Sequence, residues 1–200
     1  MSGYKFIFDL DSTITREEIL PKISIEVGKE KEMRELTEAT MLGEIPFEES
    51  FTRRVNILST LPISKVQNIV YNIKLNEELA KFIMQNKEKC YVVTGNLDCW
   101  IKTLIEKLCL SEHCFCSNAK INNDTLLGIN KIINKKEIVE SLGEKIIVVG
   151  DGNNDADMIS AANIGIGFGA VREIAPAVLR CCTHAIYDEH TLVEFLKKFV

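Results

Sequence analysis

The amino-acid sequence predicts an α/β fold, an open, doubly wound and mainly parallel sheet with a small helical cap inserted after its first strand. Short apolar runs alternate with helix-period segments, which is typical of a parallel sheet with crossover helices. The interval 14–72 interrupts this alternation with helical patterning alone. The 200 residues, 46% hydrophobic and 26% charged, suffice for one large globular domain or a core with an insert.

Charge and hydropathy exclude several classes of protein. With 24 basic and 29 acidic residues the net charge is -5, so no nucleic-acid partner is expected. No apolar run approaches the roughly 18 residues of a membrane span, and no signal peptide precedes the first strand. We therefore predict a compact cytoplasmic protein, monomeric or homodimeric, with no membrane partner.

The first strand is predicted at residues 4–8, and helices are predicted to follow it. Thr15 begins a capping-box sequence that would open the first helix. Breaks at Gly28, Gly43 and Pro62 would separate the later helices.

This helical interval is too long for an ordinary crossover between neighbouring strands. We predict that residues 14–72 form a cap over the carboxyl ends of the strands, where ligands of open α/β sheets bind. Residues 1–13 and 73–200 would then form the α/β core.

The rest of the chain returns to alternating helices and strands. Gly143 is expected to end one helix, and a polar turn near residues 122–124 indicates a small hairpin. Apolar residues at helical spacing predict further helices around residues 79–83, 101–108 and 192–199. The remaining strands are predicted at residues 90–94, 146–150, 164–168 and 183–187.

Seven cysteines occur without a CxxC pair, and the three histidines lack metal-ligand spacing. We expect reduced structural thiols in a compartment that keeps them reduced, with zinc binding as the alternative.

Acidic residues follow two of the predicted strands. Asp9 and Asp11 lie two residues apart after the first strand, so both side chains should project from one face. Asp151 and Asp155 follow the strand at 146–150. Carboxylates gathered at one sheet edge repel each other unless a cation neutralises them, and a hard divalent metal is one solution. The alternative is that these residues serve only turns and helix caps.

Two further positions suit an anion at the same edge. Thr94 and Gly95 end a strand before a helix, where free backbone N–H groups can bind an anion. Lys135 could supply a positive charge. A plain helix cap and a surface lysine are the respective alternatives.

Taken in order, these segments resemble the four motifs of the haloacid-dehalogenase superfamily. The motifs are Asp9-Leu10-Asp11-Ser12-Thr13, then Thr94, then Lys135, then Gly150-Asp151-Gly152-Asn153-Asn154-Asp155. The resemblance spans nearly the whole chain and implies a Rossmann-like core. The dehalogenases lack the second aspartate, so Asp11 points to the phosphotransferase branch.

The resemblance also implies chemical roles for the residues of these motifs. Asp9 would attack phosphorus and form an aspartyl-phosphate, and Asp11 would serve as acid and then base. Mg²⁺ would be held by the Asp9 carboxylate, the Asp11 backbone carbonyl and Asp151. The remaining residues would orient this shell or bind the phosphoryl group, namely Asp155, Asn154, Thr94 and Lys135.

Within the superfamily, the chain most resembles the phosphoserine phosphatases. Glu18 would face the substrate ammonium, and Arg54 would bind its carboxylate. Met41 and Phe47 match residues that close over the substrate. The resemblance therefore implies a Mg²⁺-dependent enzyme of serine biosynthesis that acts on a small-molecule phosphomonoester, L-phosphoserine.

The second motif departs from the family pattern. Phosphoserine phosphatases usually have serine and two glycines where this chain has Thr94, Gly95 and Asn96. Asn96 adds a side chain where backbone N–H groups would approach the substrate carboxylate. A related phosphatase for another small ester is therefore the first alternative, and a non-catalytic phosphate-binding regulator is the second.

Overall fold

The computed structural model describes residues 3–143 and 145–200, and within them seven strands form one sheet. The strands are β1 (Lys5–Phe8), β2 (Cys90–Leu97), β3 (Cys114–Asn122), β4 (Thr125–Lys131), β5 (Ile146–Gly150), β6 (Ile164–Phe168) and β7 (His184–Ile186). Their order is β4-β3-β2-β1-β5-β6-β7, and only β4 runs antiparallel to its neighbour. The predicted mainly parallel α/β sheet is confirmed.

Ten α-helices accompany the sheet in the described part of the chain. They are α1 (Ile19–Ser24), α2 (Glu30–Met41), α3 (Phe47–Leu58), α4 (Ile63–Tyr71), α5 (Glu77–Gln85), α6 (Asp98–Lys107), α7 (Lys135–Ser141), α8 (Ala156–Ser160), α9 (Pro176–Cys181) and α10 (Glu189–Leu196). Helices α1 to α4 follow one another between β1 and β2, and we call residues 19–71 the helical insert.

Strand β1 lies at the centre of the sheet, and its apolar side chains are buried on both faces. Phe6 and Phe8 pack into one core, whereas Ile7 packs into a second core on the other face. Successive side chains of a strand point to opposite faces, so a strand covered on both sides is apolar throughout. This burial fixes the position of the residues that follow β1.

Strand β2 is longer than predicted. The expected strand at 90–94 continues to Leu97, so Gly95 and Asn96 belong to the strand and not to a helix N-terminus. The prediction that Thr94 and Gly95 bind an anion at the N-terminus of a helix is therefore wrong, because no helix begins there. The polar turn at 122–124 does join a hairpin, formed by β3 and β4.

The predicted capping box at Thr15 is also wrong, because α1 begins only at Ile19. The Thr15 hydroxyl instead accepts the Ser12 backbone N–H at 3.2 Å and lies 2.7 Å from the Glu17 carbonyl oxygen. The Ile19 N–H at the start of α1 is bonded by Asp11 Oδ1 at 2.7 Å. An aspartate of the first motif therefore takes the role that we expected of Thr15.

Two chain segments connect the helical insert to the sheet, and they run side by side. The Asn76 N–H donates to the Ile14 carbonyl at 2.9 Å, and the Arg16 N–H donates to the Lys74 carbonyl at 2.8 Å. The two connections between the sheet and the insert are therefore bonded to each other as a short antiparallel pair.

A second link joins the insert to the hairpin at the sheet edge. Asp124, in the turn between β3 and β4, accepts the Ser64 N–H and the Ser64 hydroxyl, each at 2.7 Å. Its carbonyl accepts the Ile63 N–H at 2.9 Å. The turn of the hairpin thus bonds the first residues of α4.

Among the described residues, no helix combines the length and the apolar character needed to cross a membrane. All seven cysteines are free thiols, and Cys90 is the one that is fully buried.

Candidate active site

The candidate site lies where the carboxyl ends of β1, β2 and β5 meet. These three strands are adjacent and parallel, so the residues that follow them share one edge of the sheet. Asp9 follows β1 directly, and its N–H donates to the Val149 carbonyl at 2.9 Å. A tight loop over Leu10–Ile14 then turns the chain away, with Ser12 at a φ of +54°. The sheet therefore fixes the Asp9 backbone within this edge.

Three carboxylates converge at this edge. Asp9, Asp151 and Asp155 are buried, and each offers an oxygen atom within 4.8 Å of the others. Asp155 Oδ2 accepts the backbone N–H groups of Asp151 and Gly152, at 3.1 and 2.8 Å. Gly150 permits this packing, because a Cβ there would lie 2.8 Å from Asp155 Oδ2.

Lys135, the first residue of α7, supplies a buried positive charge to the cluster. Its Nζ lies 2.5 Å from Asp9 Oδ1 and 2.7 Å from Asp155 Oδ1. The Asn134 side chain accepts the Glu137 N–H and so caps the helix that presents the lysine. Burial alone would lower the pKa of Lys135, but Asp155 and Asp9 more than reverse this and raise it. Lys135 is therefore a permanent cation of the site.

Lys135 does not fully neutralise the negative charge of the aspartates. Burial and then Asp155 raise the pKa of Asp9 well above its usual range, against the opposing effect of Lys135. Burial also raises the pKa of Asp151 to about 7, with Asp155 adding to the shift. Crowded buried oxygen ligands of this kind fit a hard divalent cation, which would relieve their mutual repulsion. The residues present therefore fit Mg²⁺.

Asp11 lies beside this cluster and has different neighbours. Its Oδ1 accepts the Ile19 N–H, and its Oδ2 accepts a hydrogen bond from the Asn96 amide. Burial, followed by the negative charge of Glu18, raises the pKa of Asp11 to about 6. A carboxyl group in this range can hold or release a proton near neutral pH.

Asn96 has a definite place in the site. Its Nδ2 lies 3.2 Å from the buried Thr94 Oγ1 as well as bonding Asp11. The side chain that departs from the family pattern thus links the second motif to the first.

The helical insert closes the site from above. Arg54 is buried, with Nη1 3.3 Å from Thr37 Oγ1 and Nε 3.4 Å from the Ser50 carbonyl. Phe47 stacks on Phe51 with ring centroids 5.3 Å apart. The cavity between insert and sheet has a volume of about 60 Å³, far below the roughly 300–1,000 Å³ typical of ligand pockets. The insert therefore leaves little free volume above the reactive groups.

The structure brings the residues singled out in the sequence into one place. Those lining the cavity are Asp9, Asp11, Glu18, Met41, Phe47, Arg54, Thr94, Gly95, Asn96, Asn154 and Asp155. Lys135 and Asp151 bond to members of this group: Lys135 Nζ bonds Asp9, and the Asp151 N–H bonds Asp155.

Glu18 does not stand free to receive an ammonium group. It accepts the Ser12 hydroxyl at 2.8 Å and pairs with Arg172. Arg172 also pairs with Asp151 and also lines the cavity.

Sequence reasoning missed Arg172 altogether. It lies in the loop after β6, next to β5 in the sheet. The sequence feature that could have identified Arg172 is a basic residue just beyond the carboxyl end of a neighbouring strand. Its pairing with Glu18 joins positions that are 154 residues apart in the sequence.

The motifs and the fold together define a class of hydrolase. Residues 6–163 match the family of haloacid dehalogenase-like hydrolases, and the chain belongs to that family. It is 36% identical over 179 residues to a phosphoserine phosphatase of Archaeoglobus fulgidus, covering 82% of this chain and 52% of that protein. It is 32% identical to the phosphoserine phosphatase of Methanocaldococcus jannaschii, covering 82% of this chain and 84% of that protein. The chain thus spans about half the length of the Archaeoglobus relative.

Two solved structures match the whole chain. One is a phospho-aspartyl intermediate analogue of a phosphoserine phosphatase, at 30% identity with a TM-score of 0.81. The other is a substrate-bound phosphoserine phosphatase, at 28% identity with a TM-score of 0.84. Each match covers 100% of both chains.

Proposed function

We propose that this chain hydrolyses L-phosphoserine to serine and phosphate, the activity of serine biosynthesis, through an aspartyl-phosphate at Asp9. The observation that carries the proposal is the geometry after β1. Asp9 is buried against Lys135, and two residues later Asp11 has a pKa of about 6. The relatives named above support the substrate, and the phospho-aspartyl analogue supports the covalent step.

In the first half of the reaction, an Asp9 carboxylate oxygen attacks phosphorus. The bond from phosphorus to the serine oxygen breaks, and Asp11 gives its proton to that oxygen. Asp11 is placed for this because the Ile19 N–H and the Asn96 amide hold both of its oxygens. Serine leaves as the free alcohol.

In the second half, water attacks the phosphorus of the aspartyl-phosphate. Asp11, now ionised, accepts a proton from this water, and the bond from phosphorus to Asp9 breaks. Lys135 and the Thr94 hydroxyl bind the phosphoryl oxygens in both halves and offset their charge. Phosphate leaves, and both aspartates return to their starting states.

Mg²⁺ is the cofactor that we propose for this site. Asp9, Asp151 and the backbone carbonyl of Asp11 would hold it, with Asp155 orienting Asp151 through the backbone N–H of that residue. When bound, the ion would supply positive charge to the phosphoryl group during transfer.

The serine portion of the substrate would contact the helical insert. Arg54 is the basic residue of the insert that lines the cavity, and a guanidinium suits a carboxylate. Glu18 would receive the ammonium group, and Met41 and Phe47 would cover the substrate. The residues proposed for the core side of the substrate are Gly95, Asn96 and Asn154.

We further propose that residues 14–72 act as a cap that opens to admit substrate, over a core of residues 1–13 and 73–200. The small cavity supports this, because a volume of about 60 Å³ leaves little room for an ester in the observed arrangement. We also propose a cytoplasmic enzyme, monomeric or homodimeric. The seven free thiols fit a reducing compartment.

One observation favours a second substrate. Glu18 is already paired with Arg172, so an ester without an ammonium group would fit the site without breaking that pair. A phosphorylated alcohol is therefore the second candidate, and the chemistry of Asp9 and Asp11 would be unchanged.

Phosphate release in the presence of Mg²⁺ tests the substrate. The assay compares L-phosphoserine with phosphothreonine, phosphoethanolamine, glycerol phosphate and an aryl phosphate. We expect the highest kcat/KM for L-phosphoserine. A preference for glycerol phosphate would establish the second candidate, and no release from any ester would overturn the proposed activity.

Arg54→Ala, set against Arg53→Ala, tests recognition of the carboxylate. Both residues lie on α3, but Arg53 is exposed and pairs with Glu49, whereas Arg54 is buried. Loss of a buried ionic contact should lower kcat/KM for L-phosphoserine by about a hundredfold, with a much smaller effect on the aryl phosphate. Arg53→Ala should change neither. Equal losses on both substrates would remove Arg54 from recognition.

A further inference from the structure

Arg172 is a second cation within the acidic cluster, and the mechanism above does not use it. Its side chain leaves the loop between β6 and α9 and reaches Asp151 in the site. Nε pairs with Asp151 Oδ2, and Nη1 pairs with Glu18 Oε1. The side chain is 26% exposed, whereas the Asp151 side chain is 1% exposed. A partly exposed guanidinium therefore bonds a fully buried carboxylate.

Both oxygens of Asp151 already have partners. Oδ2 bonds Arg172, and Oδ1 is 3.4 Å from the Thr13 hydroxyl. The hydroxyl is neutral and its bond is long, so a metal ion would tolerate it. The guanidinium carries a full positive charge, and two cations that share one carboxylate repel each other at close range.

Lys135 also contacts a proposed metal ligand, because its Nζ bonds Asp9 as well as Asp155. Its side chain is only 6% exposed, however, whereas that of Arg172 is 26% exposed. Arg172 is therefore the cation that can leave its carboxylate, because Glu18 already holds the other edge of its guanidinium.

We infer that Arg172 competes with Mg²⁺ for Asp151 and must release this carboxylate when Mg²⁺ binds. Glu18 retains the guanidinium after this release. Arg172 is thus a positioning residue that weakens the affinity of the site for Mg²⁺. This inference rests on the proposed magnesium site.

Calorimetric titration of Mg²⁺ into the metal-free protein tests the inference without any turnover. The variants are Arg172→Gln, Arg172→Lys and the matched control Arg53→Gln, which removes an exposed arginine from α3. We expect Arg172→Gln to bind Mg²⁺ about tenfold more tightly than the unaltered protein, and Arg53→Gln to bind as before. Arg172→Lys keeps the positive charge but loses the planar guanidinium that bonds two carboxylates at once. Its affinity for Mg²⁺ should therefore lie between those of Arg172→Gln and the unaltered protein.

The outcomes separate this inference from the proposed function. If the unaltered protein binds Mg²⁺ and Arg172→Gln binds equally or more weakly, Arg172 does not compete and the inference is overturned alone. If no variant binds Mg²⁺, the magnesium site itself is overturned. Circular dichroism establishes whether each variant folds. If Arg172→Gln does not fold, the affinity of Arg172→Lys decides between competition and no competition.

Discussion

Asp11 and Asp9 are two residues apart, yet their surroundings give them different chemistry. Asp9 lies against the ammonium of Lys135, which favours the ionised form, although burial and Asp155 outweigh this effect and raise the pKa of Asp9 well above its usual range. Asp11 has amide donors and the nearby charge of Glu18, and its pKa of about 6 suits proton transfer. The cation beside Asp9 and the amide donors on Asp11 fit the first as nucleophile and the second as acid and base.

Asp9→Asn tests the nucleophile directly. The amide cannot attack phosphorus, so kcat should fall by about 10⁴-fold or more. The free energy of unfolding should not fall, because the change removes a buried charge next to Asp155. Phosphate release measures the first effect and thermal denaturation the second.

Asp157→Asn is the matched control for that variant, since Asp157 is exposed on α8 near the same sheet edge. It should leave both quantities unchanged. Near-normal turnover by Asp9→Asn would show that the covalent route through this residue is wrong.

The residues of the four motifs could be predicted because each follows a strand along the chain. Asp9 and Asp151 come directly after apolar runs, and the ends of parallel strands meet at one edge. Arg172 and the bond from Asn96 to Asp11 could not be predicted in this way. Both depend on which loops come together in three dimensions, across 154 and 85 residues of sequence.

At the scale of elements, α3 packs closely on β2 at one glycine. The Phe47 ring lies over Gly95, where a Cβ would come within 2.4 Å of Phe47 Cζ. The glycine therefore lets the first turn of α3 sit directly on the strand that carries Thr94. Phe47 packs in turn on Phe51, so the contact extends into the core of the insert.

Gly95→Ala should hold the insert away from β2. We expect KM for the best ester to rise about tenfold, because the insert can no longer close fully over bound substrate. Steady-state kinetics on Gly95→Ala, Phe47→Ala and the double variant measure this.

Removal of the ring removes the clash, so the double variant should behave like Phe47→Ala alone. Strictly additive losses would show that Gly95 acts through some contact other than Phe47.

The first helix shows why an element boundary can escape prediction. Thr15 and Glu18 have the spacing of a capping box, but Thr15 pairs with Leu75 where the two connections run side by side. Asp11 bonds the N–H at the start of α1 instead. Tertiary pairing thus overrides the local capping signal. In contrast, the bounds of β1, β5 and β6, which are buried on both faces, agree with the prediction to within one residue.

At the scale of the whole molecule, the acidic cluster makes stability depend on pH. Folding raises the pKa of Asp151 to about 7 and that of Asp11 to about 6, against ordinary values of about 3.9. As pH rises from about 4 to 7, the unfolded chain loses these protons first. The metal-free protein should therefore lose stability across this interval.

We expect Tm of the metal-free protein to be about 5 °C or more lower at pH 7.5 than at pH 5. Added Mg²⁺ should raise Tm more at pH 7.5 than at pH 5, because it binds the ionised carboxylates. Differential scanning calorimetry at both pH values measures this.

Asp151→Asn should show a smaller drop between the two pH values and little response to Mg²⁺. A Tm for the unaltered protein that is independent of pH between 5 and 7.5 would contradict the assignment.

The bonds from Asp124 to the start of α4 have a consequence for how the insert moves. They fasten one end of the insert to the hairpin at the sheet edge, and the paired connections at Ile14 and Asn76 fasten its base. Helix α2 takes part in neither attachment, so the insert should move furthest at the end of this helix, at Met41. The entrance to the site should therefore open on the side of Arg172.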